Sequence, residues 1–151
     1  MFAAARSHTF LALADAIDTA FARWDRSHLH LFELADGTDV CGPIAWDDPP
    51  AGSVLASATR LSRLRAGEQL LYTFDMGDDW THLCTIAEER IDPVDALGIV
   101  PDGPLPYWGW GEIPDQYGRR SEVDDGETPL APDPQLADLP PLRPYWGTRS
   151  R

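Results

Sequence analysis

Asp75, Asp78, Asp79 and His82 fall within eight residues of one another, in the stretch "YTFDMGDDWTH", and two further histidines, His28 and His30, stand in "RSHLHLFEL". Carboxylates and imidazoles bind Zn, Mn or Fe when they converge on one point. The same residue types make an acid–base pair, an aspartate orienting a histidine that titrates near neutrality. On that reading His28 or His82 is the base and Asp78 completes the centre. Three observations weigh against such chemistry. Asp75 and His82 sit where adjoining strands can send them to opposite faces, no His-Glu-x-x-His or paired-cysteine spacing fixes a metal geometry, and no activated nucleophile is in evidence. Ser27 adjoins His28, but neighbours along a strand point apart. A strand histidine is more often satisfied by a carboxylate or carbonyl across the sheet. No metal and no cofactor are therefore expected, with a divalent ion at the Asp/His cluster as the alternative.

The elements that must position these residues follow from periodicity. Phe10, Leu13, Ile17, Phe21 and Trp24 recur at helical spacing, which predicts an amphipathic helix of about four turns capped by Ser7 or Thr9. His28, His30, Phe32 and Leu34 alternate with Leu29, Leu31 and Glu33, a strand closed by an Asp36-Gly37 turn. A return strand over 38–46 would be broken or bulged by Gly42 and Pro43, and "ATRLSRLRAGE" reads as a helical turn ending near Gly67. Gln69–Asp75 and Trp80–Glu88 form the strongest strand pair, with Leu70, Tyr72 and Phe74 set beside Trp80, His82, Cys84 and Ile86. Gly77 is expected to supply the positive φ of the connection, and the flanking aspartates to cap its free amides.

Beyond Pro93 the pattern breaks up. The aromatic stretch containing Tyr107, Trp108, Trp110, Asp115, Gln116 and Tyr117 is too apolar for a linker and too irregular for a regular element. It is the best candidate for a binding surface, together with Asp75, Asp78, Asp79 and Trp80, because Trp and Tyr are enriched in binding hot spots. The alternative is that these rings cover the open end of the sheet. Residues 121–151 have the composition of an acidic, Pro-rich, mobile tail after a domain spanning 1–120, and "PYWG" at 106–109 recurs at 144–147, where it could anchor the tail's end.

Twelve basic against 25 acidic residues give a net charge of -13, a field that repels nucleic-acid phosphates. The chain suits a protein or small-ligand partner, not DNA or RNA. Cys41 and Cys84 without a secretory signal suggest reduced thiols, no apolar run approaches a membrane span, and the cytoplasm is the expected location.

Two blocks together resemble the plasmid pRiA4b ORF-3-like family. "RWDRSHLHLFEL" resembles its tryptophan-acidic-x-x-His-Leu-His-x-Phe block, which holds Trp24, His28 and His30. "YTFDMGDDWTHLCTIAE" resembles its aromatic-Asp-Phe-Gly-Asp-x-Trp-x-His signature, built around Gly77. Met76 stands where the signature usually has phenylalanine. The nearest counterpart of the family's Pro-Pro-Glu-Asp-Cys-Gly-Gly segment is "YWGWGEIPDQYGR", which keeps Pro114-Asp115 and has no cysteine. The chain begins almost at the first helix, so the strand with which the family usually opens is expected to be missing. The resemblance implies an α+β fold, helices packed on a largely antiparallel sheet. It implies little function beyond a non-enzymatic binding or accessory role and possible mobile-element company, since some members resemble a resolvase-labelled passenger protein of an insertion element. The alternative is a metal-dependent or His/Asp acid–base enzyme, with nucleic acid among its candidate substrates.

Overall fold

The computed structural model describes residues 1–42, 49–117 and, for the backbone, 145–146. The tail expected over 121–151 lies outside the described residues apart from the backbone of 145–146, as do positions 43–46 of the expected return strand.

A hairpin forms one side of the sheet. Its strands β5 (Gln69–Phe74) and β6 (Trp80–Thr85) are rich in β-branched and aromatic residues, which suit a pleated, half-buried surface. They pair with Leu70 opposite Cys84, Tyr72 opposite His82 and Phe74 opposite Trp80, the register that the alternating pattern favours. On the other side of β5 lies β2 (His30–Glu33), antiparallel, with Phe32 opposite Tyr72 and His30 opposite Phe74. Next come β3 (Asp39–Cys41), antiparallel to β2, and β4 (Val54–Leu55), parallel to β3, giving the order β4-β3-β2-β5-β6. The free thiols of Cys41 and Cys84 stand on β3 and β6, with β2 and β5 between them. Gly42 follows β3 and donates its amide to His30 O at 3.0 Å. A Cβ there would lie 2.8 Å from the His30 ring, so this glycine is needed for close approach.

Helix α1 (Phe10–Ala20) lays Phe10, Leu13, Ala14 and Ile17 on the face formed by Phe32, Val40, Leu70, Tyr72 and Phe74. Burying each of the large apolar side chains stabilises the fold by about 1.5–3 kcal/mol. Of the two candidate caps it is Thr9 that acts, its Oγ1 accepting from Ala12 N at 3.1 Å. The helix is three turns long, not four. Ala22 adopts φ 55°, Arg23 N donates to Asp18 O at 2.8 Å and Ala22 N to Thr19 O at 3.2 Å, a Schellman ending that leaves Trp24 off the helix.

Smaller pieces complete the α+β fold. A 3-10 turn, Leu61–Arg63, precedes Gly67 where a helical turn was expected. The region after Pro93 is more regular than its composition suggests. It holds a short helix α2 (Pro93–Leu97), capped when Asp92 Oδ1 accepts from Val94 N at 2.8 Å and ended by Gly98 at φ 67°. Strand β7 (Leu105–Pro106) pairs with β1 (Phe2–Ala3), a two-residue strand ahead of the helix. Strand β8 (Gly111–Glu112) pairs with β9 (Tyr145–Trp146), so the backbone of the two central residues of the second "PYWG" docks beside the loop that follows the first. Among the described residues no helix is long and apolar enough to cross a membrane.

Candidate functional site

The hairpin tip departs from the expected turn chemistry. Gly77 does not take a positive φ; Asp75 (φ 59°) and Asp79 (φ 57°) do, with Asp79 N donating to Asp75 O at 2.7 Å. Asparagine and aspartate tolerate the left-handed region better than other non-glycine residues, because their short side chains can bond locally. Asp75 does so: its Oδ1 accepts from Gly77 N at 3.0 Å and from Asp78 N at 3.4 Å, the capping role expected of the aspartates. Its amide donates to Leu29 O at 2.9 Å, which fixes the tip against the chain entering β2.

The second carboxylate oxygen of Asp75 reaches His28. Nδ1 of His28 lies 3.3 Å from Asp75 Oδ2, while Nε2 lies 2.5 Å from the Tyr117 hydroxyl and 3.3 Å from Asp25 Oδ2. The Tyr117 hydroxyl is 3.0 Å from that same Asp25 oxygen. Asp25 Oδ1 is committed to its own turn, accepting from Ser27 N at 3.0 Å and Ser27 Oγ at 2.6 Å. Those Ser27 hydrogen bonds, helped by Tyr117 and His28, hold the Asp25 carboxyl down at about 2. Burial, reinforced by the Asp25 bond and the charges of Asp25, Asp75 and Asp78, pushes the Tyr117 phenol up to about 12. The phenol therefore stays protonated at neutral pH, and its single proton is placed to serve either His28 Nε2 or Asp25.

Gln116 holds this arrangement together. Only 2 % exposed, it accepts at Oε1 from Trp24 N and Asp25 N, each at 3.0 Å, and donates from Nε2 to Asp25 O at 3.0 Å. The Trp24 ring meets the Tyr117 ring edge-on with centroids 5.2 Å apart. Tyr117 N donates to Asp115 Oδ2 at 3.2 Å, the short-range turn that aims the phenol.

The other candidates go elsewhere. His82 does not join His28; it faces the helix side of the sheet, stacked near Tyr72 and 4.5 Å from the Phe21 ring. Burial, then the Arg23 charge, lowers its pKa to about 4. His30 is buried against Phe32 and Tyr72. Asp78 and Asp79 are exposed, and Trp80 is half-buried beneath the Arg23 guanidinium, 3.8 Å from its ring. Trp108 and Trp110 are 54 % and 78 % exposed, while Tyr107 is half-buried and its amide donates to Met1 O at 3.0 Å. Among the described residues no three His, Cys, Asp or Glu side chains gather as a metal-holding group.

Two participants escaped the reading of spacing alone. Asp25, next to Trp24 in the histidine block, carries the carboxylate that meets Tyr117. Asp18 on α1 is buried, accepts from Tyr72 OH at 2.8 Å and pairs with Arg26 Nη1 at 3.3 Å. Its one sequence signal is an aspartate one residue from Ile17 on the apolar stripe.

A family model described as plasmid pRiA4b ORF-3-like protein matches residues 2–101. That span includes Asp25, His28, Asp75 and His82 and stops short of Trp108, Trp110, Gln116 and Tyr117. No curated protein and no solved structure matches the chain.

Proposed function

The chain belongs to the plasmid pRiA4b ORF-3-like family, and from that membership and its site we propose that it is a non-enzymatic binding module, an accessory protein with no metal or cofactor of its own. The observation that carries this reading is the capture of His28 at both ring nitrogens, by Asp75 on one side and by Tyr117 and Asp25 on the other. A general base needs a nitrogen free to reach a substrate proton. Here the imidazole instead joins the hairpin tip, the loop after α1 and the end of the aromatic loop. The phenol raised to about 12 points the same way, since it is no nucleophile near neutrality.

What the latch supports is a presented surface. Trp108 and Trp110 stand out from the loop that Gln116 and Tyr117 secure, with Asp78 and Asp79 exposed at the tip. Exposed aromatics on a braced loop fit a protein or small-ligand partner, and the net charge of -13 disfavours nucleic acid. A mobile-element setting fits the plasmid origin of the family's name, and the cytoplasm fits the two free thiols.

The test compares wild type with a Trp108→Ser/Trp110→Ser double variant in affinity capture from the natural host. Wild type retains a specific partner or ligand, and the double variant loses it with an unchanged melting temperature. Equal retention by both would refute the assigned surface. A catalytic turnover that vanishes in His28→Gln and persists in the double variant would favour the His/Asp acid–base enzyme instead.

A further inference from the structure

Strand β6 is an edge strand, and among the described residues its sheet partner is β5 alone. Which of its amides face outward follows from the ladder. Ile86 N donates to Glu68 O and Gly67 N to Ile86 O, each at 2.8 Å. Because inward and outward pairs alternate in an antiparallel ladder, Trp80, His82 and Cys84 turn their amides to β5, and Thr81, Leu83 and Thr85 turn theirs away from it. The side chains of those three residues are exposed as well, Leu83 at 64 %, opposite the exposed Leu71 of β5.

Edges are usually protected by a lysine, a proline or a bulge. Strand β6, "WTHLCT", carries none of the charges or prolines that would do this. Charge is concentrated beyond its two ends: exposed Asp78 and Asp79 at the tip, exposed Glu88 and Glu89 past the other end. That distribution selects among occupants. Antiparallel pairing with a second copy sets the Asp78–Asp79 end of one chain beside the Glu88–Glu89 end of the other, and parallel pairing sets each acidic end beside itself. Like charges across a pairing edge are destabilising. A strand with basic ends meets the opposite condition, and it is also steered by the net charge of -13.

We propose that the outer edge of β6 accepts an extended segment of a partner protein by strand addition, with Thr or apolar residues alternating in its middle and Lys or Arg at both ends. Main-chain bonds form with Thr81, Leu83 and Thr85, one apolar side chain covers the Leu71–Leu83 pair, and the basic ends meet Asp78, Asp79, Glu88 and Glu89. This edge uses residues distinct from Trp108 and Trp110, so it stands or falls separately from them.

Fluorescence anisotropy on the full chain tests it with three labelled peptides: a Thr/Val-alternating core with two lysines at each end, the same core with glutamates at the ends, and the lysine peptide N-methylated at every core residue, which blocks both of its edges. The lysine peptide binds, and the other two do not. An Asp78→Asn/Asp79→Asn/Glu88→Gln/Glu89→Gln variant, in which asparagine tolerates the positive φ at 79, weakens binding roughly fivefold at low salt and less as salt screens the ends. Leu83→Pro, which removes an outward amide and no ladder donor, abolishes binding with the fold retained. Equal binding of the lysine and glutamate peptides, binding of the N-methylated peptide, or no binding at all overturns the proposal. So does sedimentation showing a dimer that Leu83→Pro dissociates, which assigns the edge to a second copy.

Discussion

Replacing Gln116 by methionine keeps the volume of the side chain and removes all three of its hydrogen bonds. Two backbone amides, of Trp24 and Asp25, and the carbonyl of Asp25 then lose their partner in a place where Gln116 itself is 2 % exposed. Each buried polar group left unmade costs about 1–3 kcal/mol. The upper sum is not reached, because Asp25 is half-buried and water can reach part of the loop as it relaxes. The expected loss is about 3 kcal/mol, or about 10 °C in melting temperature for a domain of this size. Urea unfolding measures the loss, and hydrogen exchange locates it: the Trp24 and Asp25 amides lose protection out of proportion to amides of β5. A loss under about 0.5 kcal/mol, or unchanged exchange at those two amides, would refute the assignment of Gln116 as the clamp.

Two further outcomes follow from the backbone and from charge. Ala22 occupies the left-handed position of the Schellman ending at φ 55°, so Ala22→Gly raises stability by about 0.5–1 kcal/mol, read as a higher denaturation midpoint with unchanged slope. Burial raises Asp18 from 3.8 to about 6, so its contribution is full below pH 3.8 and is lost as pH rises through about 6. Burial lowers His82 from 6.5 to about 4, so its contribution is lost as pH falls through about 4 and is full above 6.5. The two terms, about 3 kcal/mol each, run in opposite directions over pH 4 to 6.5 and largely cancel. Asp18→Asn therefore makes stability climb more steeply with pH than in wild type, and His82→Phe makes it climb less steeply or fall. Denaturant titrations across that range giving slope changes of the same sign in both variants would refute the opposed pair.

Much of the sheet was legible in the chain because strand alternation is local and has a strict period of two. The Leu70, Tyr72 and Phe74 set fell opposite Trp80, His82 and Cys84 because a slip of one residue would send the whole set to solvent. The helix was legible in its apolar face but not in its end. Trp24 keeps the helical period, yet the chain leaves the helix at Ala22, where Arg23 finds the Trp80 ring and Gln116 holds the next two amides. Those partners lie 57 and 92 residues away, counted from 23 to 80 and from 24 to 116, beyond any local pattern. The turn's conformation is not legible at Gly77, because glycine is the usual bearer of a positive φ. Here Asp75 takes that conformation instead, and its carboxylate bonds the turn's amides while reaching His28.

By itself, then, the sequence determined the family, the α+β class, the hairpin and its register, and the residue types gathered near the tip. Periodicity and local turn chemistry act over a few residues, and those features need nothing more. Only the tertiary structure decided which of those groups meet. It joined His28 to Asp75, Asp25 and Tyr117, placed His82 in the apolar layer beside Tyr72, and left the β6 edge open among the described residues. Convergence of side chains depends on loop closure across tens of residues, and spacing along a chain does not encode distance across a fold.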